Sequence, residues 1–186
     1  LLTGSVSGGV WRRTSATALW QPINAFLPNM SITCLLHDPP VPNTVYACTG
    51  EGPFNPATGK SNVDSVRGAG ILRSSDGGES WIRLASTDPR TASGDGAWNF
   101  INRLAVRPAN PIVLLAATHR GLMRSADGGA SWTLAYGTLL DAAGVPSMTY
   151  ARRVNDVRFD PNDGAKVLLG EQAYVDPATG AMTGGA

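Results

Sequence analysis

Apolar residues in this chain come in short blocks. Runs such as VYAC (45–48), VLLAA (113–117) and VLLG (167–170) are bounded by Pro, Gly, Asn or Asp. Blocks of this kind read as strands with turn residues at their ends. No ten-residue stretch places apolar positions at 3.6-residue spacing, so the pattern predicts little helix.

The blocks recur. GAGILRSSDGGESW (68–81) aligns without gaps with HRGLMRSADGGASW (119–132) at an offset of 51, and GVWRRTSATALW (9–20) matches both in its strand and terminal Trp. A second element, ITCLLHDPPVPNTVYACT (32–49), aligns with INRLAVRPANPIVLLAAT (101–118) at an offset of 69. VNDVRFDPNDGAKVLLGE (154–171) follows at a further 53. The order is strand, turn, strand, loop, strand, DGG turn, strand, and four short strands per unit of about 50 residues predict a β-propeller blade. One blade is expected to use 32–37, 43–49, 70–75 and 80–85, and the next 101–107, 112–118, 121–125 and 131–135. The fold class is therefore all-β, an incomplete propeller of four-stranded antiparallel blades with about three to four blades represented. Its division is expected as 1–27 (partial blade), 28–86 (blade), 99–136 (blade) and 153–186 (start of the next). The remaining blades of the same propeller are expected elsewhere in a longer protein. Alone, the chain is expected to aggregate, to associate through open blade edges, or to melt poorly.

Composition narrows the function classes. Of 186 residues 42% are hydrophobic, enough for a core, and a net charge of +1 offers no electrostatic footprint for nucleic acid. No apolar run reaches the roughly eighteen residues of a membrane-spanning helix. No cofactor or metal is expected: Cys34 and Cys48 lack a neighbouring His or second Cys, and Asp160–Gly164 aligns with a turn (RPANP) and not with a calcium loop. His37 and His119 occupy different repeat positions and read as structural or solvated. The two cysteines fall on adjacent strands of a hairpin; two buried free thiols are the simpler expectation and a cross-strand disulfide the alternative.

The sharpest motif is S-x-D-x-G-x-S-W. Ser74, Asp76, Gly78, Ser80 and Trp81 form it once; Ser125, Asp127, Gly129, Ser131 and Trp132 repeat it. The Asp folds its carboxylate onto turn N–H groups, the Gly supplies positive φ, and the Trp begins the outermost strand with its indole N–H near a partner. These are building roles, so the motif is strong for architecture and weak for activity. The chain resembles the Asp-box (bacterial neuraminidase repeat) propellers of the sortilin and xyloglucanase-like glycoside hydrolase type, in a secreted bacterial group. Segments similar to GSVSGGVWRR, ACTGEGPFN and LLAATHRGLMRSADGGASW occur there in this order. The resemblance implies an extracellular or periplasmic location. It carries no catalytic residue: the xyloglucanase aspartate, two residues before a Gly-Gly, corresponds here to Val6, and the arginine motif of sialidases is absent.

Blade topology sorts the connections by end. Turns within strand pairs are short, whereas 50–69, 86–99, 137–153 and the segment after 171 are long and fall on one face. Loops displayed on a rigid scaffold are where binding concentrates. The candidate ligand-binding residues there are Glu51, Phe54, Asp95, Trp98, Asp141, Tyr150, Glu171 and Tyr174, carboxylates interleaved with aromatics in a manner suited to polysaccharide. A non-catalytic segment binding glycan or an extracellular protein is the expectation. The alternative is a glycoside hydrolase, whose two carboxyls would lie in these loops or on other blades.

Overall fold

The computed structural model describes the chain except residues 24–26, 39–40, 53, 56–59, 62–64, 93–95, 109–111, 141–145, 176–181 and 184–186. In chain order its strands are β1 (Leu2–Ser5), β2 (Gly9–Arg12), β3 (Gln21–Pro22), β4 (Ile32–His37), β5 (Val45–Thr49), β6 (Phe54–Asn55), β7 (Lys60–Ser61), β8 (Ile71–Ser74) and β9 (Ile82–Arg83). There follow β10 (Ile101–Val106), β11 (Leu114–Thr118), β12 (Gly121–Ser125), β13 (Thr133–Tyr136), β14 (Thr138–Leu140), β15 (Pro146–Ala151), β16 (Val154–Phe159), β17 (Val167–Glu171), β18 (Tyr174–Val175) and β19 (Met182–Thr183). Helix is confined, among the described residues, to the single 3-10 turns Ala85–Thr87 and Ala97–Asn99.

The main sheets are antiparallel and follow sequence order: β1-β2-β3, β4-β5-β8-β9, β10-β11-β12-β13 and β16-β17. The two four-stranded sheets realise the two expected blades, and the fold is an all-β propeller arrangement. The short pairs β6-β7, β14-β15 and β18-β19 form small hairpins within the long connections.

The core lies between sheets. Val10 of the first sheet packs with Ile32, Val45, Ala47, Leu72 and Trp81 of the second. The opposite face of the second sheet (Cys34, Tyr46, Cys48, Ile71) packs on Leu104, Leu114, Ala116 and Met123 of the third. The third sheet's other face (Ala105, Leu115, Ala117, Leu122) meets Val154 and Val157. Covering both faces explains why β5 and β11 are buried at every position and why their sequences are unbroken apolar runs.

Repeated hydrogen bonds link neighbouring sheets. Thr33 donates its hydroxyl to the carbonyl of Ile101, and Asn102, at the equivalent position, donates its amide to the carbonyl of Val154 at 2.8 Å.

Both S-x-D-x-G-x-S-W turns close in the same way. The Ser125 hydroxyl donates to Asp127 at 2.7 Å and accepts from the Gly129 N–H at 2.8 Å, and Ser74 does the same with Asp76 and Gly78 at 2.7 and 2.8 Å. The Asp carboxylates then accept from the Ser80 and Ser131 backbone N–H at 3.0 and 2.9 Å. Those bonds hold Asp76 and Asp127 well below the usual carboxylate range. Two details differ from expectation. Trp81 and Trp132 directly precede the outer strands β9 and β13, which start one residue later. Their indole nitrogens are buried without a hydrogen-bond partner among the described residues, so burial of the ring alone accounts for both tryptophans.

The cysteines also differ from the simpler expectation. Register pairs Cys34 directly with Cys48 across β4 and β5, their Cα atoms are 4.9 Å apart, and they form a disulfide. That spacing lies within the usual disulfide range.

Candidate functional site

Antiparallel topology puts the connections β5–β8, β9–β10, β13–β16 and the segment after β17 at one end of the sheets. The β11–β12 connection at that end is only His119–Arg120. One low point therefore stands among longer loops, and side chains converge around it.

The long loop after β5 is anchored at its base. Val66 N–H donates to the Glu51 carbonyl at 2.7 Å, and Gly68 N–H donates to the Asn99 carbonyl at 2.8 Å. Gly52 then passes so close to the third sheet that a Cβ there would sit 2.7 Å from His119 Cε1 and 2.9 Å from Phe100 Cδ1. Only glycine fits this approach.

His119 is 8% exposed and lies beside Phe100, their ring centroids 4.9 Å apart. Arg153 Nη1 stands 2.6 Å from its Nδ1. A guanidinium only donates, which makes Nδ1 the acceptor and leaves the ring proton on Nε2. Burial, with Arg153 and Arg120 nearby, pushes the His119 pKa down to about 3. Burial and Arg120 also lower the pKa of Arg153, to about 10.

A second cluster adjoins it through the neighbouring residue. Glu171 accepts from the Tyr136 phenol at 2.9 Å and from Arg152 at 3.3 Å, and Arg152 also donates to the Tyr136 oxygen at 3.0 Å. The Arg152 guanidinium lies 5.8 Å from the Tyr136 ring centroid. The backbone fixes these arginines: Arg152 N–H donates to Gly137 at 3.0 Å, and the Arg153 carbonyl accepts from Gln172 at 3.0 Å. Burial, then the bond to Glu171, raises the Tyr136 pKa, so the phenol keeps its proton. Carboxylate, guanidinium and phenol together offer both donors and acceptors, the chemistry that sugar hydroxyls or peptide groups require. The cluster holds one carboxylate among the described residues, whereas glycoside cleavage ordinarily uses two.

The expected residues fare unequally. Glu51 is exposed at the loop base and Glu171 belongs to the cluster just described. Phe54, Tyr150 and Tyr174 have their backbones on β6, β15 and β18. Asp95 and Asp141 lie outside the described residues. Trp98 is a correction. The 3-10 turn Ala97–Asn99 folds it inward until it is 1% exposed, against the core between the second and third sheets. Its ring meets Trp132 edge-to-face with centroids 5.1 Å apart. A ring so enclosed cannot stack on a ligand.

Sequence reasoning passed over Tyr136, Arg152 and Arg153 and treated His119 as merely structural or solvated. A usable signal existed in the alignment: His119 follows Thr118, and Arg152–Arg153 lead into β16 as Asn99–Phe100 lead into β10. Such junctions lie at the loop end of their strands.

No metal-binding group of three or more His, Cys, Asp or Glu occurs among the described residues. None of the described helices is long and apolar enough to cross a membrane.

The sheets form part of a β-propeller, and the comparisons with known proteins find its likeness among glycoside hydrolase propellers. No protein-family model matches the chain. A xyloglucanase from a Paenibacillus species is 31% identical over 139 residues, covering 68% of this chain and 12% of the relative. Among solved structures, an ancestral GH74 enzyme aligns with a TM-score of 0.61 at 21% identity over 91% of this chain and 20% of its own. The GH74 enzyme of Niastella koreensis gives 0.58 at 25% identity, over 90% of this chain and 24% of its own. The GH74 xyloglucanase of Xanthomonas campestris gives 0.59 at 23% identity, over 91% and 25%. The chain thus spans an eighth to a quarter of the lengths of these proteins.

Proposed function

We propose that this chain is a segment of a secreted or cell-surface Asp-box propeller of the sortilin and xyloglucanase-like type. It binds polysaccharide at its long-loop end and performs no catalysis of its own. The observation that carries this reading is the Glu171–Arg152–Tyr136 cluster, whose donors and acceptors stand at the end where the long loops gather. Glu51, Phe54, Asp95, Asp141, Tyr150 and Tyr174 complete the proposed ligand-binding set, without the buried Trp98. The blades divide as 1–27, 28–86, 99–136 and 153–186, with the rest supplied by the longer protein. No cofactor, nucleic acid or membrane span enters the reading.

The test is retention on immobilised xyloglucan, with sialylated glycan and a glycan-free extracellular protein mixture as parallel arms. Glu171→Gln and Arg152→Met should each weaken xyloglucan retention several-fold while leaving the melting temperature within a few degrees. Retention unchanged in both variants would remove the cluster from the binding site. The likeness to a named xyloglucanase favours a second reading, a glycoside hydrolase with carboxylates in these loops or on other blades. Multiple-turnover release of sugar from xyloglucan by the complete protein would replace the first reading with the second.

A further inference from the structure

Asp-Gly is the peptide link at which a backbone nitrogen reaches the preceding side-chain carboxyl group with least hindrance, because glycine places no Cβ in the way. The chain contains Asp76–Gly77, Asp95–Gly96, Asp127–Gly128 and Asp163–Gly164. Asp95 lies outside the described residues. The fold holds the other pairs in two different ways.

The pairs inside the S-x-D-x-G-x-S-W turns are tied at both reacting groups. Gly77 and Gly128 donate their N–H to the carbonyls of Asn43 and Ile112, both at 2.8 Å. The carboxylates of Asp76 and Asp127 are turned across the hairpin, where they accept from the Ser74 and Ser125 hydroxyls and from the N–H and hydroxyl groups of Ser80 and Ser131.

Asp163–Gly164 sits in the β16–β17 turn, at the end opposite the long loops. Asp38, Arg107 and Asp160 open three equivalent turns, their N–H groups donating to the carbonyls of Thr44, Val113 and Lys166 at 3.0, 2.9 and 3.0 Å. The fifth residues of these turns are Pro42, Pro111 and Gly164. Proline has no N–H, so the fold requires no hydrogen bond from this nitrogen. That of Gly164 has no acceptor among the described residues. The Asp163 side chain is 42% exposed and pairs with the exposed Lys166 ammonium at 3.2 Å, a contact of little strength. It also accepts from the Ala165 N–H at 3.0 Å, which curls the carboxyl group back over the intervening peptide that contains the Gly164 nitrogen. Val41, the counterpart of Asp163 in a sheet covered on both faces, is itself 38% exposed. Exposure therefore belongs to the turn.

We propose that Asp163–Gly164 is a site of spontaneous isomerisation to isoaspartate, and that the fold shields Asp76–Gly77 and Asp127–Gly128 from the same reaction. The Gly164 nitrogen attacks Cγ of Asp163; the N–Cγ bond forms while a carboxyl oxygen leaves as water, carrying away the amide proton and the carboxyl proton. Water then adds at the Asp163 backbone carbonyl and breaks its original bond to nitrogen, so that the main chain runs through Cβ and Cγ. One water is lost and one regained, no electrons are transferred, and mass and charge are unchanged. The former backbone carbonyl becomes a free carboxylate at the turn and no longer serves as the amide acceptor for the Lys166 N–H, which it meets at 2.9 Å.

Ageing the intact polypeptide in warm neutral buffer tests it, with peptide mapping by fragmentation that distinguishes the isomers. Isoaspartate should accumulate at position 163 at least several-fold faster than at 76 or 127. In the urea-unfolded polypeptide the three sites should react at similar rates. Equal rates in the folded protein, or no product at 163, overturn the proposal. So does an unfolded chain that keeps the folded protein's difference, since sequence would then set the rates. Gly164→Pro installs the residue of the other two turns, with a small shift of Arg107, whose Nε would lie 3.2 Å from the new Cβ. It removes the amide proton and should abolish the product at 163, and Asp163→Glu, which enlarges the ring that must close, should do the same. A product persisting at 163 in Gly164→Pro overturns the assigned nucleophile. In the aged fraction the Lys166 amide should exchange faster than in fresh protein, and unchanged exchange there overturns the rerouted backbone.

Discussion

Replacing Trp98 by alanine separates two roles for an aromatic residue in a loop-end segment. If the ring were displayed for a ligand, the variant would lose binding and keep its stability. The structure encloses the ring at 1% exposure among Cys34, Cys48, Ile71, Leu104 and Met123, with Trp132 edge-on at 5.1 Å. A tryptophan buries roughly 200 Å², which at about 25 cal/mol/Å² corresponds to about 5 kcal/mol of transfer free energy. Alanine retains part of that area, and comparable truncations cost about 3–5 kcal/mol once the cavity is included. The expected loss is therefore about 4 kcal/mol. With a urea dependence of about 2 kcal/mol per molar, the unfolding midpoint should fall by about 2 M. Equilibrium unfolding in urea, followed by far-ultraviolet circular dichroism, measures it. Trp98→Phe should lose distinctly less, because a smaller ring still fills most of the space. A midpoint shift equivalent to less than about 1 kcal/mol, accompanied by loss of glycan retention, would refute the buried placement.

Other consequences are equally open to measurement. Ser74→Ala and Ser125→Ala each remove a buried hydroxyl with three hydrogen-bond contacts, at a cost of about 1–3 kcal/mol. The two losses should agree closely in thermal unfolding; a large disparity would show that the turns are not equivalent. Reducing the Cys34–Cys48 disulfide, which closes a separation of 14 residues, should cost about 3 kcal/mol. An unfolding midpoint unaffected by dithiothreitol would count against the bond. His119 is neutral in the fold down to about pH 3, whereas the unfolded chain protonates it near the ordinary value of 6.5. Its contribution is complete above that value and declines as pH falls toward 3, by up to about 1.4 kcal/mol per pH unit. His119→Asn should flatten the acid limb of the stability profile, and an unchanged slope would show the ring to be solvated.

Strands were legible because their two-sided burial demands unbroken apolar runs, as in β5 and β11, and repeated turns fixed their order. The Ser–Asp–Gly turns were legible because each residue type serves a local bond. The disulfide was less so: pairing Cys34 with Cys48 depends on register, and a bulge between Ile32 and Cys34 alters it. Trp98 misled because a loop's composition does not show which way a short 3-10 turn sends its side chains. The Glu171 cluster was half visible. Its carboxylate stood out in the sequence, but Tyr136 and Arg152 are 35 and 19 residues away from it. Only the fold brings such partners together.

The three clusters that lie between successive sheets also determine how the molecule yields to force. A tension applied along the chain is shared by the interfaces in series, and because no cluster spans more than two sheets each can yield on its own. In the 186-residue chain taken by itself, the second and third sheets, each clasped on both faces, should resist longest, and the two-stranded sheet β16-β17, with Leu168 71% exposed there, should peel first. A single-molecule extension trace would then show a staircase with steps of unequal height. Each step would report the strength of one seam.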